Sequence, residues 1–329
     1  MMQRRSFLMT VLVSTALVFA GLGGVAAQDA TPTSATFADT MGLPELTVQV
    51  TDTAFEGLPA ETPAGRYLLT LDISATDGGS LNFMQLPEGM SLDDFTGMLA
   101  GPSAASPEAM MGTPGAENIA GEMEEDRPPE WYYQTAMAGG TGGGPGQSAQ
   151  AIIDLTPGDW IAWAGYPEAP QAPVGLTVTG EAGATPTAGA EPAADVTVTM
   201  FEYDFAVEGT LSPGSHVLKV TNVGAQPHEM FMASAPEPVT EEQIAQILDL
   251  EMQGATPAPE AGVPNPETFL PVSSMTPLSM GKTGWIPVTL EPGTYIVVCF
   301  VPDIESGMPH AFEGMYEVFT VVGEGTPTA

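Results

Sequence analysis

Residues 290–302 read LEPGTYIVVCFVP, and their reading decides the fold. A Pro-Gly turn opens a β-branched and aromatic run in which Tyr295, Val297 and Cys299 alternate onto one face of a strand. Nearly the same stretch, LTPGDWIAWAGYP, stands at 155–167. Working outward from each, the same order of elements occurs twice. LTVQVTDTAF (46–55) and VTVTMFEYDF (196–205) open each half, and PAGRYLLTLDI (63–73) and SPGSHVLKVTN (212–222) follow. A Phe-Met pair comes next, Phe83-Met84 or Phe231-Met232, and then a helix start, SLDDFTGML (91–99) or TEEQIAQILDL (240–250), the latter with a Thr240/Gln243 capping box. Short strands between Pro-Gly turns, with one helix per half, predict an all-β chain of two small antiparallel β-sandwiches in tandem.

The expected boundaries follow from composition. Residues 28–43 are small and polar, and EAGATPTAGAEPAAD (181–195) is an Ala/Pro/Thr/Gly spacer that cannot bury a core. The sandwiches are therefore placed at 44–180 and 195–323, joined by a linker at 181–194 and followed by a tail at 324–329. Gly/Pro-rich stretches at 100–148 and 251–282 read as long loops, mobile or facing a partner.

Charge narrows the function classes. Six basic residues stand against 41 acidic ones, a net charge of −35. Such a field repels phosphate backbones and anionic lipid, which excludes nucleic acid and favours a cationic partner or simple solubility. At the N-terminus, Arg4 and Arg5 precede a short apolar run and small residues at Val25-Ala26-Ala27, a cleavable leader over 1–27. Arg4-Arg5-Ser6-Phe7-Leu8 resembles a twin-arginine export signal; the rival is an ordinary secretory leader that contains two arginines. No later segment has the apolar length of a membrane span, so the expected product is exported, to a periplasm or the medium. In that oxidising setting the only cysteine, Cys299, has no partner for a disulfide.

Cys299 begins CFVPDIESGMPHAFEGM (299–315), which also carries His310 and Met315, and His228 lies upstream in NVGAQPHEMFM. Each has a plain reading: a lone Cys as a small core residue, a turn His as exposed, Met315 as one of 19 gap-filling methionines. Together, two imidazoles, a thiolate and a thioether are the donor set of a trigonal His₂Cys copper centre with a weak axial Met. His216, within the strand SHVLKV, has no matching role.

These motifs resemble those of the cupredoxins, the plastocyanin and azurin group of blue copper proteins. GTYIVVC has their Gly-x-Tyr-x-x-x-Cys spacing, Asn222-x-Gly224-x-x-x-His228-Glu229 is similar to their first-histidine turn, and Cys-x10-His-x4-Met to their ligand loop. The resemblance covers about residues 195–322 and implies Greek-key sandwiches, one type 1 copper, His228, Cys299 and His310 as equatorial ligands, Met315 as axial ligand, and one-electron transfer. Cupredoxins pass electrons through an apolar patch, which here falls on Pro309, Ala311 and Phe312. The ten residues between Cys299 and His310 make a longer loop than is usual, and the stretch from His228 to Cys299 holds a large insertion.

The first half lacks both His and Cys: Ala164 aligns with Cys299 and Gly79 or Ser80 with His228, so it reads as a degenerate repeat without metal ligands. Three histidines do not supply the further coppers of nitrite reductases or laccase-like oxidases, and no nucleophile-base motif is present. The expectation is accordingly a protein that is not an enzyme, an electron carrier with a redox protein as partner. The alternatives are copper storage or delivery, motivated by Met230, Met232 and Met308 near the ligands, and a metal-free binding module.

Overall fold

The computed structural model describes residues 42–99, 128–165, 169–181, 191–253 and 262–323. The leader, the tail and most of both linkers lie outside these residues. The first half contributes β1 (Glu45–Val50), β2 (Phe55–Glu56), β3 (Glu61–Pro63), β4 (Gly65–Ile73), β5 (Gly79–Gln85), β6 (Met137–Gly143), β7 (Ser148–Leu155), β8 (Gly158–Trp163) and β9 (Val174–Thr179). The second contributes β10 (Val196–Phe201), β11 (Asp204–Glu208), β12 (Gly214–Asn222), β13 (His228–Ala235), β14 (Leu270–Leu278), β15 (Thr283–Leu290), β16 (Gly293–Val298) and β17 (Tyr316–Val321).

The chain is all-β, as expected, but its two sandwiches are not separate. Both sheets run through both halves: one is ordered β11-β10-β12-β15-β7-β4-β1-β2, the other β17-β16-β13-β14-β6-β5-β8-β9-β3. Apart from β3 at one edge, each order reads as a palindrome of corresponding strands, with β15 beside β7 and β14 beside β6 at the centre. The halves are thus related by an approximate twofold relation, and corresponding strands meet antiparallel, at Trp285↔Ile152 and Leu278↔Ala138. The strands are not all antiparallel either, because β1 runs parallel to β4, β10 to β12 and β3 to β9.

The central strands correct the loop reading of the Gly/Pro-rich stretches. Of residues 100–148, Met137–Gly143 form β6, and of residues 251–282, Leu270–Leu278 form β14, both in the middle of a sheet. Glycine in β6 (MAGGTGG) serves close approach: a Cβ at Gly140 would collide with the Leu81 carbonyl oxygen, and one at Gly139 would lie 2.8 Å from Met275 Sδ of the other half.

Alternation along β1 (eBeBeB) and β10 (BiBiBi) sends one side of each strand into a single apolar core spanning both halves, from Leu46 and Phe83 to Val297 and Val321. The outer face of the nine-stranded sheet is covered in each half by a helix. Leu92–Leu99 places Phe95 against Met84 and Trp163; Glu241–Met252, with the expected Thr240/Gln243 capping box, places Ile244, Ile247 and Leu248 against Ala233 and Val298. Across the centre of the other sheet, Arg66 is buried, pairs with Asp154 through two hydrogen bonds of 2.7 and 2.8 Å, and stacks 4.5 Å from the Trp285 ring of the other half.

Candidate metal centre

The site is built where β13 begins and β16 ends. Asn222, fully buried, shapes the turn before β13: its Nδ2 donates to the carbonyls of Gln226 and Leu278 at 2.7 Å each, and its Oδ1 accepts from Gly224 N at 2.8 Å. That turn delivers His228 into the core. Gly224 has no room for a side chain, since a Cβ would stand 2.7 Å from His228 Nε2.

Pairing of β13 with β16 at Phe231↔Val298 then sets Cys299 beside His228, on the same inward face as Tyr295 and Val297. From Cys299 the chain leaves into the ligand loop and returns through a 3₁₀ turn, His310–Glu313, closed by Gly314 in the left-handed region (φ 104°). Backbone bonds tie the return to the departure: Cys299 N donates to Met315 O (3.1 Å), Ala311 N to Cys299 O (2.8 Å) and Met315 N to His310 O (2.9 Å).

The long loop between Cys299 and His310 is closed upon itself around Asp303. A bridge joins Pro302 to Pro309, and Asp303 N donates to Met308 O at 2.7 Å. The Asp303 carboxylate, almost fully buried, accepts from Tyr203 Oη (2.7 Å), Gln226 Nε2 (2.8 Å), Ser306 N (2.7 Å) and Glu305 N (2.8 Å). Burial alone would raise its pKa, but the bonds from Gln226, Ser306, Tyr203 and Glu305 outweigh it and hold the carboxyl well below the usual range. It remains an anion that pins the loop to the turn before His228.

His228, Cys299 and His310 are all fully buried and their donor atoms converge. The two Nδ1 atoms are 3.0 Å apart, and Cys299 Sγ lies 3.4 Å from His310 Nδ1 and 3.9 Å from His228 Nδ1. Both Nε2 atoms are buried without a hydrogen-bond partner, so the ring nitrogen that finds company is in each case the one turned to the cluster. Each separation is shorter than two metal bonds laid end to end, at about 2.0 Å to nitrogen and about 2.3 Å to sulfur. One ion therefore reaches all three donors, and the cluster fits a type 1 copper site. Met315, also fully buried, joins the same core cluster.

Electrostatics keep the donors ready. Burial lowers the His228 pKa to about 4 against the opposing pull of Glu202, and burial together with His228 lowers that of His310 to about 4, so both rings are neutral near pH 7. Burial, reinforced by Glu229, pushes the Cys299 thiol up, so a metal must displace its proton. Glu229 N lies 3.4 Å from Cys299 Sγ and donates to it, and the Glu229 carboxylate accepts from Phe300 N at 3.1 Å.

Several sequence expectations are placed differently. Pro309 and Ala311 are buried and Phe312 is half-buried, Ala311 and Phe312 being packed with the cluster beneath the helix Glu241–Met252, so the three form no exposed apolar patch. Met230 and Met232 are buried core residues, which removes part of the motive for a copper-storage reading. His216 bonds to the Ser212 carbonyl at 2.7 Å, away from the site. Glu202, Tyr203 and Gln226 escaped sequence reading, and Asp303 and Glu229 entered it without these roles. None carries a motif, and only the fold brings them to the ligands.

No protein-family model matches the chain, and no curated protein does. Among solved structures, it is similar to reduced auracyanin from the photosynthetic bacterium Roseiflexus castenholzii, at 20% identity over 39% of this chain and 95% of that one, with a TM-score of 0.26. Auracyanin A, a "blue" copper protein from Chloroflexus aurantiacus, matches at 18% identity over 38% of this chain and 98% of its own, with a TM-score of 0.23. A copper nitrite reductase from Nitrosomonas europaea is 11% identical over 85% of this chain and 94% of its own, with a TM-score of 0.22. At such identities and TM-scores the likeness says nothing of function, and the two-sheet β architecture rests on the strand order itself. The expectation that the chain is not an enzyme does not stand: structures that match over most of its length are a copper nitrite reductase and multicopper oxidases.

Proposed function

We propose that the chain is an exported blue copper protein that passes single electrons through one copper, which His228, Cys299 and His310 would hold with Met315 as a weaker fourth ligand. The observation that carries this reading is the convergence of two imidazole Nδ1 atoms and one thiol sulfur within 3.9 Å in a buried site. Copper in this donor set supplies a one-electron couple. The chain's own part is to exclude water from the donors, to hold both imidazoles neutral and to fix the thiolate by the Glu229 N–H and the two backbone bonds around Cys299. Because the donors are held by sheet backbone and by the Asp303 network, they have little freedom to rearrange when the charge at the centre changes.

Export rests on the leader at 1–27, and no helix among the described residues is long and apolar enough to cross a membrane. The partner that fits a net charge of −35 is a redox protein with a cationic surface, whose association is steered at low salt and weakened as salt rises. Titration with Cu(II) tests the reading: one equivalent per chain should give an intense blue colour that a one-electron reductant bleaches and an oxidant restores. Cys299→Ser should remove the colour while the circular dichroism of the folded chain persists. Uptake of copper with no such colour in the unaltered chain contradicts the proposal.

A further inference from the structure

We infer that the two-residue turn Glu202-Tyr203, between β10 and β11, positions both copper-binding imidazoles, and that Tyr203 is held there against its own backbone preference because its ring closes the site over His310. The inference rests on the ligand assignment above and extends it to a strand pair that supplies no ligand.

The pairing Phe201↔Asp204 leaves just two residues to reverse the chain. Two-residue hairpin loops are built from residues that accept positive φ, chiefly Gly, Asn and Asp. This one has Tyr203 at φ 61°, and among the described residues it is the only non-glycine at positive φ. An aromatic residue in that region is out of place, and such outliers cluster where the surroundings require a particular side chain.

What Tyr203 does from there is specific. Its ring meets the His310 imidazole edge-on, with centroids 5.4 Å apart and planes at 75°. Its hydroxyl donates to Asp303 Oδ2 at 2.7 Å, on the same carboxylate oxygen that accepts from Gln226 Nε2 at 2.8 Å. Asp303 stands in the loop that carries His310, and Gln226 lies two residues before His228. Glu202 addresses the other imidazole: its Oε1 accepts from Ala225 N and from Gln226 N, and lies 3.8 Å from His228 Nε2. With Nδ1 turned to a metal, Nε2 must carry the proton, and a carboxylate near that N–H favours this tautomer. One turn thus braces both histidines from outside.

The first half provides the comparison. There β1 and β2 are joined by Thr51–Ala54, a longer loop closed by Thr51 N→Ala54 O at 3.0 Å and Ala54 N→Thr51 Oγ1 at 3.0 Å, with no positive-φ residue. Where the repeat has no ligands, the corresponding connection is relaxed.

Tyr203→Gly separates bracing from folding, because glycine suits φ 61° better than tyrosine does. Relief of the backbone offsets part of the lost Asp303 hydrogen bond and ring packing, so the apoprotein of this variant should still unfold in one cooperative transition. Its copper-loaded form should lose Cu(II) to EDTA about tenfold faster or more, the scale on which outer residues act on metal sites, and azide should change its absorption where the unaltered protein is indifferent. Tyr203→Asn, which also accepts this backbone region, should behave alike and guards against a folding defect peculiar to glycine. If both variants keep copper as tightly as the unaltered chain and ignore azide, the turn is an ordinary connection and this inference fails while the ligand assignment stands. An unaltered chain that takes up no copper overturns both.

Discussion

Ser80 Oγ donates to the carbonyl oxygen of Ala164 at 2.8 Å. By the registers Asn82↔Trp163 and Phe231↔Val298, Ala164 occupies the place of Cys299 and Gly79 that of His228. Where the second half sets imidazole and thiol, the first half sets a serine hydroxyl on a backbone carbonyl, and Gly79, Ser80 and Ala164 line an open cavity there. Neither Gly79 nor Ala164 offers a soft or nitrogen side-chain donor, and the strands of this half complete both sheets.

Ser80→Ala follows from that relationship. It removes one neutral hydrogen bond and should lower stability by about 1 kcal/mol, read as a shift in denaturant midpoint. Copper uptake should stay at one equivalent per chain. A loss of copper in this variant would mean that the two halves share the metal site.

Gly140→Ala probes the seam between the halves. The added methyl meets the Leu81 carbonyl oxygen, a backbone atom that cannot swing aside, and its other near neighbour is Thr276 Oγ1 at 3.0 Å from the second half. Overpacking of this kind costs about 1–3 kcal/mol or more. Because both sheets are continuous, thermal unfolding should remain one transition at a lower temperature. Two separate transitions would show that the halves fold independently of this seam.

Stability of the apoprotein should depend only weakly on pH over the mildly acid range. His228 and His310 have pKa values lowered to about 4, so between there and the ordinary histidine range the unfolded chain binds two more protons than the folded one. Burial pushes Glu229 and Glu251 up to about 7, which works the opposite way with two protons. The two pairs offset from about pH 6.5 to about 4.5, whereas Glu251→Gln removes one opposing proton and should make the variant lose about 1.4 kcal/mol per pH unit as the solution is acidified. Chemical denaturation at a series of pH values checks this; a Glu251→Gln midpoint that rises as the solution is acidified over that range contradicts the assigned environments.

The clustering of Cys299, His310 and His228 was legible because Cys and His are scarce in this chain, which makes their spacing informative. The strand-turn repeat around 155–167 and 290–302 was legible for a similar reason, since Pro-Gly followed by β-branched and aromatic residues has few readings. The seam was hidden. Glycine in β6 carries no strand propensity, and β14 contains Pro271 and Pro277, which ordinarily argue against a central strand. Irregularities in the β13 pairing accompany these prolines, between His228 and Met230 and between Met232 and Ala233. Tyr203 and Asp303 were hidden differently, because each is an ordinary residue until the fold sets it against a ligand a hundred positions away or beside the loop it closes.

X-ray absorption at the copper edge of the loaded, unaltered chain tests the central claim most directly. The account predicts one sulfur neighbour at about 2.3 Å and two nitrogen neighbours at about 2.0 Å, with the sulfur lost in Cys299→Ser. A first shell of nitrogen and oxygen alone, unchanged by that substitution, would contradict it.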